Sequence, residues 1–146
     1  GYNIEKLQEE LGAILGLRAG RTAILLGVGN LGRALLNNFN FSASGFELLC
    51  AFDANPDLIG RSFGGHEVKA AGELDAYIAE HHPDVAVLTI PQSVAQDTAS
   101  HLINLGVKGF WNFTNIELSS QLPDVQFENI HFADSLLTLS YRIANR

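Results

Sequence analysis

Thr22-Ala23-Ile24-Leu25-Leu26-Gly27-Val28 is a short apolar run rich in strand formers, and it overlaps Gly27-Val28-Gly29-Asn30-Leu31-Gly32, a G-x-G-x-x-G. An amphipathic stretch opens at once with Leu31-Gly32-Arg33-Ala34-Leu35-Leu36. A second apolar run, Phe46-Glu47-Leu48-Leu49-Cys50-Ala51-Phe52, then ends in Asp53. Strand, glycine turn, helix, strand and an acid about 20 residues beyond the turn form the dinucleotide-binding fingerprint in its proper setting. A glycine turn inside an α/β domain that binds nothing is the bland alternative, and it leaves the acid at the strand tip unexplained.

Each position answers a physical demand. Gly27 allows the tight turn out of the first strand, Gly29 has no Cβ to keep a pyrophosphate off the backbone, and Gly32 lets the helix pack close to the sheet. The helix N-terminus offers free N–H groups and a partial positive charge to phosphate, with Asn30 as its expected cap. Val28 and Leu31 complete the expected phosphate turn. Asp53 is placed to accept from ribose hydroxyls. Its charge disfavours a 2′-phosphate, and Ala54-Asn55-Pro56-Asp57 follow it without an Arg or Lys. NAD(H) rather than NADP(H) is the expected cofactor.

The chain of 146 residues is one domain long, and 47% hydrophobic content supports a real core. Net charge is −7, and the nine Lys and Arg residues are scattered, with no basic stripe to follow a nucleic-acid backbone. The single cysteine, Cys50, sits in an apolar strand as a small core residue and excludes an intrachain disulfide, which suits a reducing cytoplasm. No signal peptide and no bilayer-spanning apolar run are read, so no membrane partner is expected. The absence of Met makes the opening residues read as the start of a fragment.

The rest of the chain alternates as a parallel α/β domain does. Ile4, Leu7, Leu11, Ile14 and Leu15 share one helical face, closed by Gly16. The first strand is expected at about 22–28, its helix at 30–39 and the second strand at 46–53. A short strand includes His66–Lys69, and Leu74, Tyr77 and Ile78 mark a helix closed by His81-His82-Pro83. Val85–Ile90, an unbroken apolar run, reads as a central strand covered on both faces. Ser93 with Gln96 reads as a capping box for a helix carrying Val94, Ala99, Leu102 and Ile103, stopped by Gly106. Strands follow at Val107–Phe113 and Val125–His131 around an irregular polar stretch, and a C-terminal helix runs from about Ala133.

Phe110, Trp111 and Phe113 read first as core at a strand end; strand ends are also where ligands bind in open α/β sheets, so Phe113 and the turn Thr89, Ile90 and Pro91 are the candidates to face a nicotinamide. His81-His82 reads as a solvated helix end rather than a metal site, since adjacent helical residues point apart. No metal ligands and no catalytic residue are assigned: the sequence has no G-x-S-x-G and no H-E-x-x-H. The C-terminal helix carries two apolar stripes, Phe132, Leu136, Leu139 and Ile143 beside Ala133, Leu137 and Tyr141. One domain covers one stripe, so the second points to a partner subunit.

Over essentially its whole length the chain resembles the Rex family of redox-sensing transcriptional repressors. The matching residues are Gly1-Tyr2-Asn3-Ile4 with Ile14-Leu15-Gly16-Leu17, Gly27-Val28-Gly29-Asn30-Leu31-Gly32-Arg33-Ala34-Leu35, and Ala51-Phe52-Asp53 with Ile59-Gly60. Thr89-Ile90-Pro91, Gly106-Val107-Lys108-Gly109, Asn112-Phe113 and Leu139-Ser140-Tyr141 continue the match. The resemblance implies a homodimer whose Rossmann domain senses NADH against NAD⁺, exchanges its terminal helix between subunits and controls operator DNA binding by an N-terminal winged helix. It implies a linker helix from that missing domain at 1–20, a Rossmann NAD(H) domain at 21–132, a swapped helix at 133–146 and no enzymatic activity. His131 stands where the family has an acid before the terminal helix, with Asp134 three residues on. The fold class expected is a Rossmann-like, doubly wound, mostly parallel sheet with a C-terminal dimerisation helix. The alternative function is a small NAD-dependent oxidoreductase, told apart by hydride turnover, or a CoA-binding domain, told apart by retention of acyl-CoA.

Overall fold

The computed structural model describes residues 20–144. The helix expected from Ile4 to Leu15 lies outside the described residues, as do the side chains of 132–137. Seven strands form one sheet in the order β3-β4-β2-β1-β5-β6-β7. They are β1 Arg21–Leu26, β2 Phe46–Asp53, β3 Ser62–Phe63, β4 His66–Ala70, β5 Val85–Leu88, β6 Gly109–Asn112 and β7 Gln126–Asn129. Four α-helices connect or follow them: α1 Asn30–Asn38, α2 Leu74–His81, α3 Gln92–Asn104 and α4 Phe132–Ala144. Every pairing is parallel except the β3/β4 hairpin.

From β1 the chain winds outward through β2 to β4, then returns past β1 to β5, β6 and β7. The reversal puts the topological switch point between β1 and β5, the place where doubly wound sheets bind their ligands. The central strands alternate between two cores. Ile24, Leu26, Phe52, Ala86 and Leu88 face α2 and α3 in one cluster, while Ala23, Leu25, Ala51 and Val87 face α1 in the other. Burial on both faces is why β1 and β5 read as unbroken apolar runs. Ala95 and Ala99, both fully buried, bring α3 close to the sheet.

The strand ends fall short of the sequence expectations for physical reasons. β1 stops at Leu26 because Gly27 turns with φ +95°. β5 stops at Leu88, although the Thr89 amide still donates to Leu26 O at 2.9 Å. β6 and β7 are likewise shorter than 107–113 and 125–131. The hairpin partner of His66–Ala70 was not anticipated: Gly64 and Gly65, at φ +59° and +84°, turn Phe63 back onto His66. Two expected caps are corrected. Asn30 is the first helical residue, with Gly29 as the N-cap and no side-chain cap bond. Ser93 lies within α3, whose N-cap is Pro91, so the Ser93–Gln96 capping box does not form.

Candidate functional site

Helices α1 and α3, both without a side-chain cap, begin at the C-terminal edge of the sheet beside the switch point. Orphan N–H groups at such ends attract anions. Between them lies a cavity of about 910 Å³ whose lining includes Gly27, Gly29, Asp53, Thr89, Ile90 and Pro91. Six of the eleven residues expected at the site therefore meet around one space.

The turn that forms its floor is tightly held. A Cβ on Gly27 would lie 2.5 Å from the Thr89 carbonyl oxygen, at a backbone conformation side chains avoid. A Cβ on Gly32 would collide with the Gly27 carbonyl oxygen. A Cβ on Gly29 would meet nothing within 4 Å. The first and third glycines are thus required by protein packing, whereas the second faces open space. Open space above the N-terminus of a helix is what a pyrophosphate needs.

Asp53 braces this turn as well as lining the cavity. Its Oδ2 accepts from the Val28 amide at 2.6 Å, and its Oδ1 accepts from the Asn55 amide at 2.8 Å. Each oxygen keeps a lone pair, so ribose hydroxyls remain within its chemistry. The Thr89 hydroxyl lies 2.9 Å from Leu26 O and 2.6 Å from Gly27 O, clamping the end of β5 to the turn. Val28 is fully buried in the α1-side core and acts through its backbone. Asn30, Leu31 and Gly32 supply the start of α1 rather than cavity lining. Phe113 does not line the cavity. Its ring packs against Trp111, 4.6 Å between centroids, in the cluster on the α1 face.

Sequence reasoning missed the other wall. Val94, Thr98 and His101 line the cavity from α3, with Leu74 opposite on α2. The i, i+4, i+7 spacing was the available signal. Val94 is 44% exposed because it faces the cavity rather than the core. His101 Nε2 lies 2.8 Å from Asp75 Oδ1 and ties α3 to α2 at this end. The remaining polar candidates have structural roles. His81 stacks on Tyr77 at 4.1 Å, and His82 closes α2 at φ +49°. Burial pushes the Cys50 thiol above its ordinary pKa, which fits a core residue. Among the described residues no cluster of three His, Cys, Asp or Glu could hold a metal, and no helix is long and apolar enough to cross a membrane.

The CoA binding domain family matches residues 20–116. The redox-sensing transcriptional repressor Rex of Caldanaerobacter subterraneus subsp. tengcongensis is 44% identical over 144 residues, covering 98% of this chain and 63% of that protein. The Rex of Clostridioides difficile is 42% identical, covering 97% of this chain and 67% of that protein. This chain belongs to the Rex family. It spans about two thirds of the length of these Rex relatives. Solved structures agree. RSP, a Rex-family repressor crystallised with β-NADH, superposes with a TM-score of 0.84 at 42% identity, covering 99% of this chain and 70% of that one. RSP with β-NAD⁺ and operator DNA gives 0.85 at the same identity, covering 99% and 66%. UDP-D-quinovosamine 4-dehydrogenase from Vibrio fischeri, at 16% identity and a TM-score of 0.56, shares the fold alone.

The glycine geometry separates two substitutions. Gly29→Val is expected to fold with an unchanged melting temperature and to lose dinucleotide binding. Gly32→Ala is expected to lower the unfolding free energy by about 1–3 kcal/mol. Urea unfolding and titration of both variants check this, and full binding by a folded Gly29→Val would show that the turn is purely structural.

Proposed function

We propose that this chain is the NAD(H)-sensing part of a redox-responsive transcriptional repressor. The observation that carries the reading is the glycine turn, open above Gly29 and braced by Asp53, at the uncapped N-terminus of α1. The Rex relatives support it, as does RSP, crystallised with β-NADH and with β-NAD⁺ and operator DNA.

In this reading the backbone of Gly29, Asn30, Leu31 and Gly32 takes the pyrophosphate and Asp53 takes the adenosine ribose. Adenine lies towards Leu74, Val94 and His101, and the nicotinamide lies towards Thr89, Ile90 and Pro91. When bound, NADH presents a neutral ring and NAD⁺ a cationic one. The apolar Ile90 and Pro91 favour the neutral ring, because a charge loses hydration there without gaining a partner. The protein is a cytoplasmic binding module rather than an enzyme. Operator contact belongs to a winged-helix domain joined through residues 1–20, with 21–132 as the sensor and 133–146 as the helix exchanged between subunits.

Asp53 sets the expected selectivity. NADH should bind about ten- to a hundredfold more tightly than NADPH, since a phosphate beside the carboxylate adds like-charge repulsion. Asp53→Asn keeps the shape of the brace and should narrow that gap. CoA carries a ribose phosphate too and should compete poorly. Fluorescence titration with NADH, NADPH and CoA checks this. Equal NADH and NADPH affinities would remove the role given to Asp53, and preferential retention of CoA would favour a CoA-binding module.

The exposed apolar residues of α4, Leu139 at 52%, Tyr141 at 64% and Ile143 at 62%, support a homodimer through this helix. Large side chains of this kind contribute about 1.5–3 kcal/mol each when fully buried. Light scattering is expected to give a dimer mass, and a monomer after truncation before Ala133. A monomer mass for the uncut chain would contradict the dimer.

A further inference from the structure

Asn112 and Thr114 are the buried polar residues of the described core, and Asn112 has no exposed surface at all. Neither the phosphate turn nor the Asp53 brace uses them. Asn112 stands at the end of β6 and reaches sideways to β7. Its Nδ2 donates to the Ile116 carbonyl and to Asn129 Oδ1, both at 2.7 Å. Its Oδ1 accepts from the Thr114 amide at 2.9 Å and from the Thr114 hydroxyl at 2.6 Å. Asn129 grips the same loop from the other side: Oδ1 accepts from the Leu118 amide at 3.2 Å, and Nδ2 donates to the Leu118 carbonyl at 3.1 Å. The Ile130 amide completes the unit by donating to Asn112 O at 2.9 Å.

Two amide side chains 17 residues apart thus supply the hydrogen bonds that an irregular loop cannot make for itself. The loop they hold has two ends of interest. Its first residue, Phe113, donates its amide to Leu88 O at 2.9 Å, next to Thr89 in the cavity wall. Its other side lies against the β7–α4 junction, where His131 Nε2 is 3.4 Å from Glu117 Oε2 and α4 starts at Phe132. A dinucleotide laid across the switch point places its second half on the β5/β6 side. The loop is therefore the piece of protein between that half and the base of the terminal helix. Buried networks with every member satisfied hold such pieces in one arrangement.

We infer that Asn112 and Asn129 are positioning residues for nicotinamide recognition: they lock the 113–118 loop to the start of α4, so that the β5/β6 wall of the cavity and the terminal helix move as one body. This rests on the NAD(H) reading above and adds two residues that do not line the cavity at the glycine turn. The predicted signature is selective. Loosening the loop should weaken contacts to the nicotinamide half and leave the adenosine half, held by Asp53 and the α1 N-terminus, unchanged.

The test is isothermal titration of the 146-residue chain with NADH and with ADP-ribose, which lacks the nicotinamide. Asn129→Ala, which strands the Leu118 peptide, should lower NADH affinity about tenfold or more and ADP-ribose affinity by less than about twofold. Asn112→Asp, nearly isosteric but without the amide donor, should do the same or more. If Asn112→Asp fails to fold, Asn129→Ala decides, because it leaves Asn112 bonded to Ile116 and Thr114. Equal loss of both ligands, or loss of neither, overturns the inference and leaves the site assignment standing. Failure of the unmodified chain to bind either ligand overturns the NAD(H) reading itself, and this inference with it.

Discussion

The carboxylate of Asp53 holds the backbone of the glycine turn, 2.6 Å from the Val28 amide nitrogen. That contact joins the ends of β1 and β2 across the place where α1 begins. The Thr89 hydroxyl does the same from β5. Three adjacent strands thus converge on one loop, and the loop has no slack: Gly27 is pressed against Thr89 and Gly32 against Gly27. A rigid loop of this kind aims the free N–H groups of α1 in a fixed direction. The same carboxylate also lines the cavity, so the residue that sets the turn is within reach of whatever the cavity holds.

The remaining architecture serves to put that loop at the switch point. Small buried residues on α3, Ala95 and Ala99, draw the helix onto the sheet and leave Val94, Thr98 and His101 as the cavity's second wall. On the α1 face, Phe39, Phe41, Val87, Trp111 and Phe127 line a separate groove of about 440 Å³. Its apolar lining offers nothing to a pyrophosphate, and it lies over the α1-side core rather than at the glycine turn. The glycine turn and this apolar groove are thus on different parts of the molecule.

The parts of this structure that depend on local pattern were legible in the sequence. β2 falls at Phe46–Asp53 as expected, because an apolar run closed by an acid marks it. The glycine fingerprint located the turn, and its strand and helix context located the cavity. What escaped was non-local. The Val28–Asp53 bond spans 25 residues and exists only because β1 and β2 end side by side. Phe113 sits at a strand end, but it packs with Trp111 on the α1 face, a choice that periodicity does not record. Asn112 and Asn129 fall within the two strands expected on either side of the irregular polar stretch, and only the parallel pairing of β6 with β7 brings them together. The caps at Asn30 and Ser93 failed for another reason. Gly29 and Pro91 take the N-cap positions instead, and both helices leave their first N–H groups without side-chain caps at the cavity.

The central claim is that the glycine turn and Asp53 form one dinucleotide-binding unit. Backbone amide chemical shifts recorded during an NADH titration test it residue by residue. The account predicts that the largest changes fall on Gly29, Asn30, Leu31, Gly32 and the Asp53–Asn55 segment, with Phe39, Phe41 and Trp111 little affected. Changes confined to the Phe39–Phe41–Trp111 groove, or no changes at saturating NADH, would contradict it.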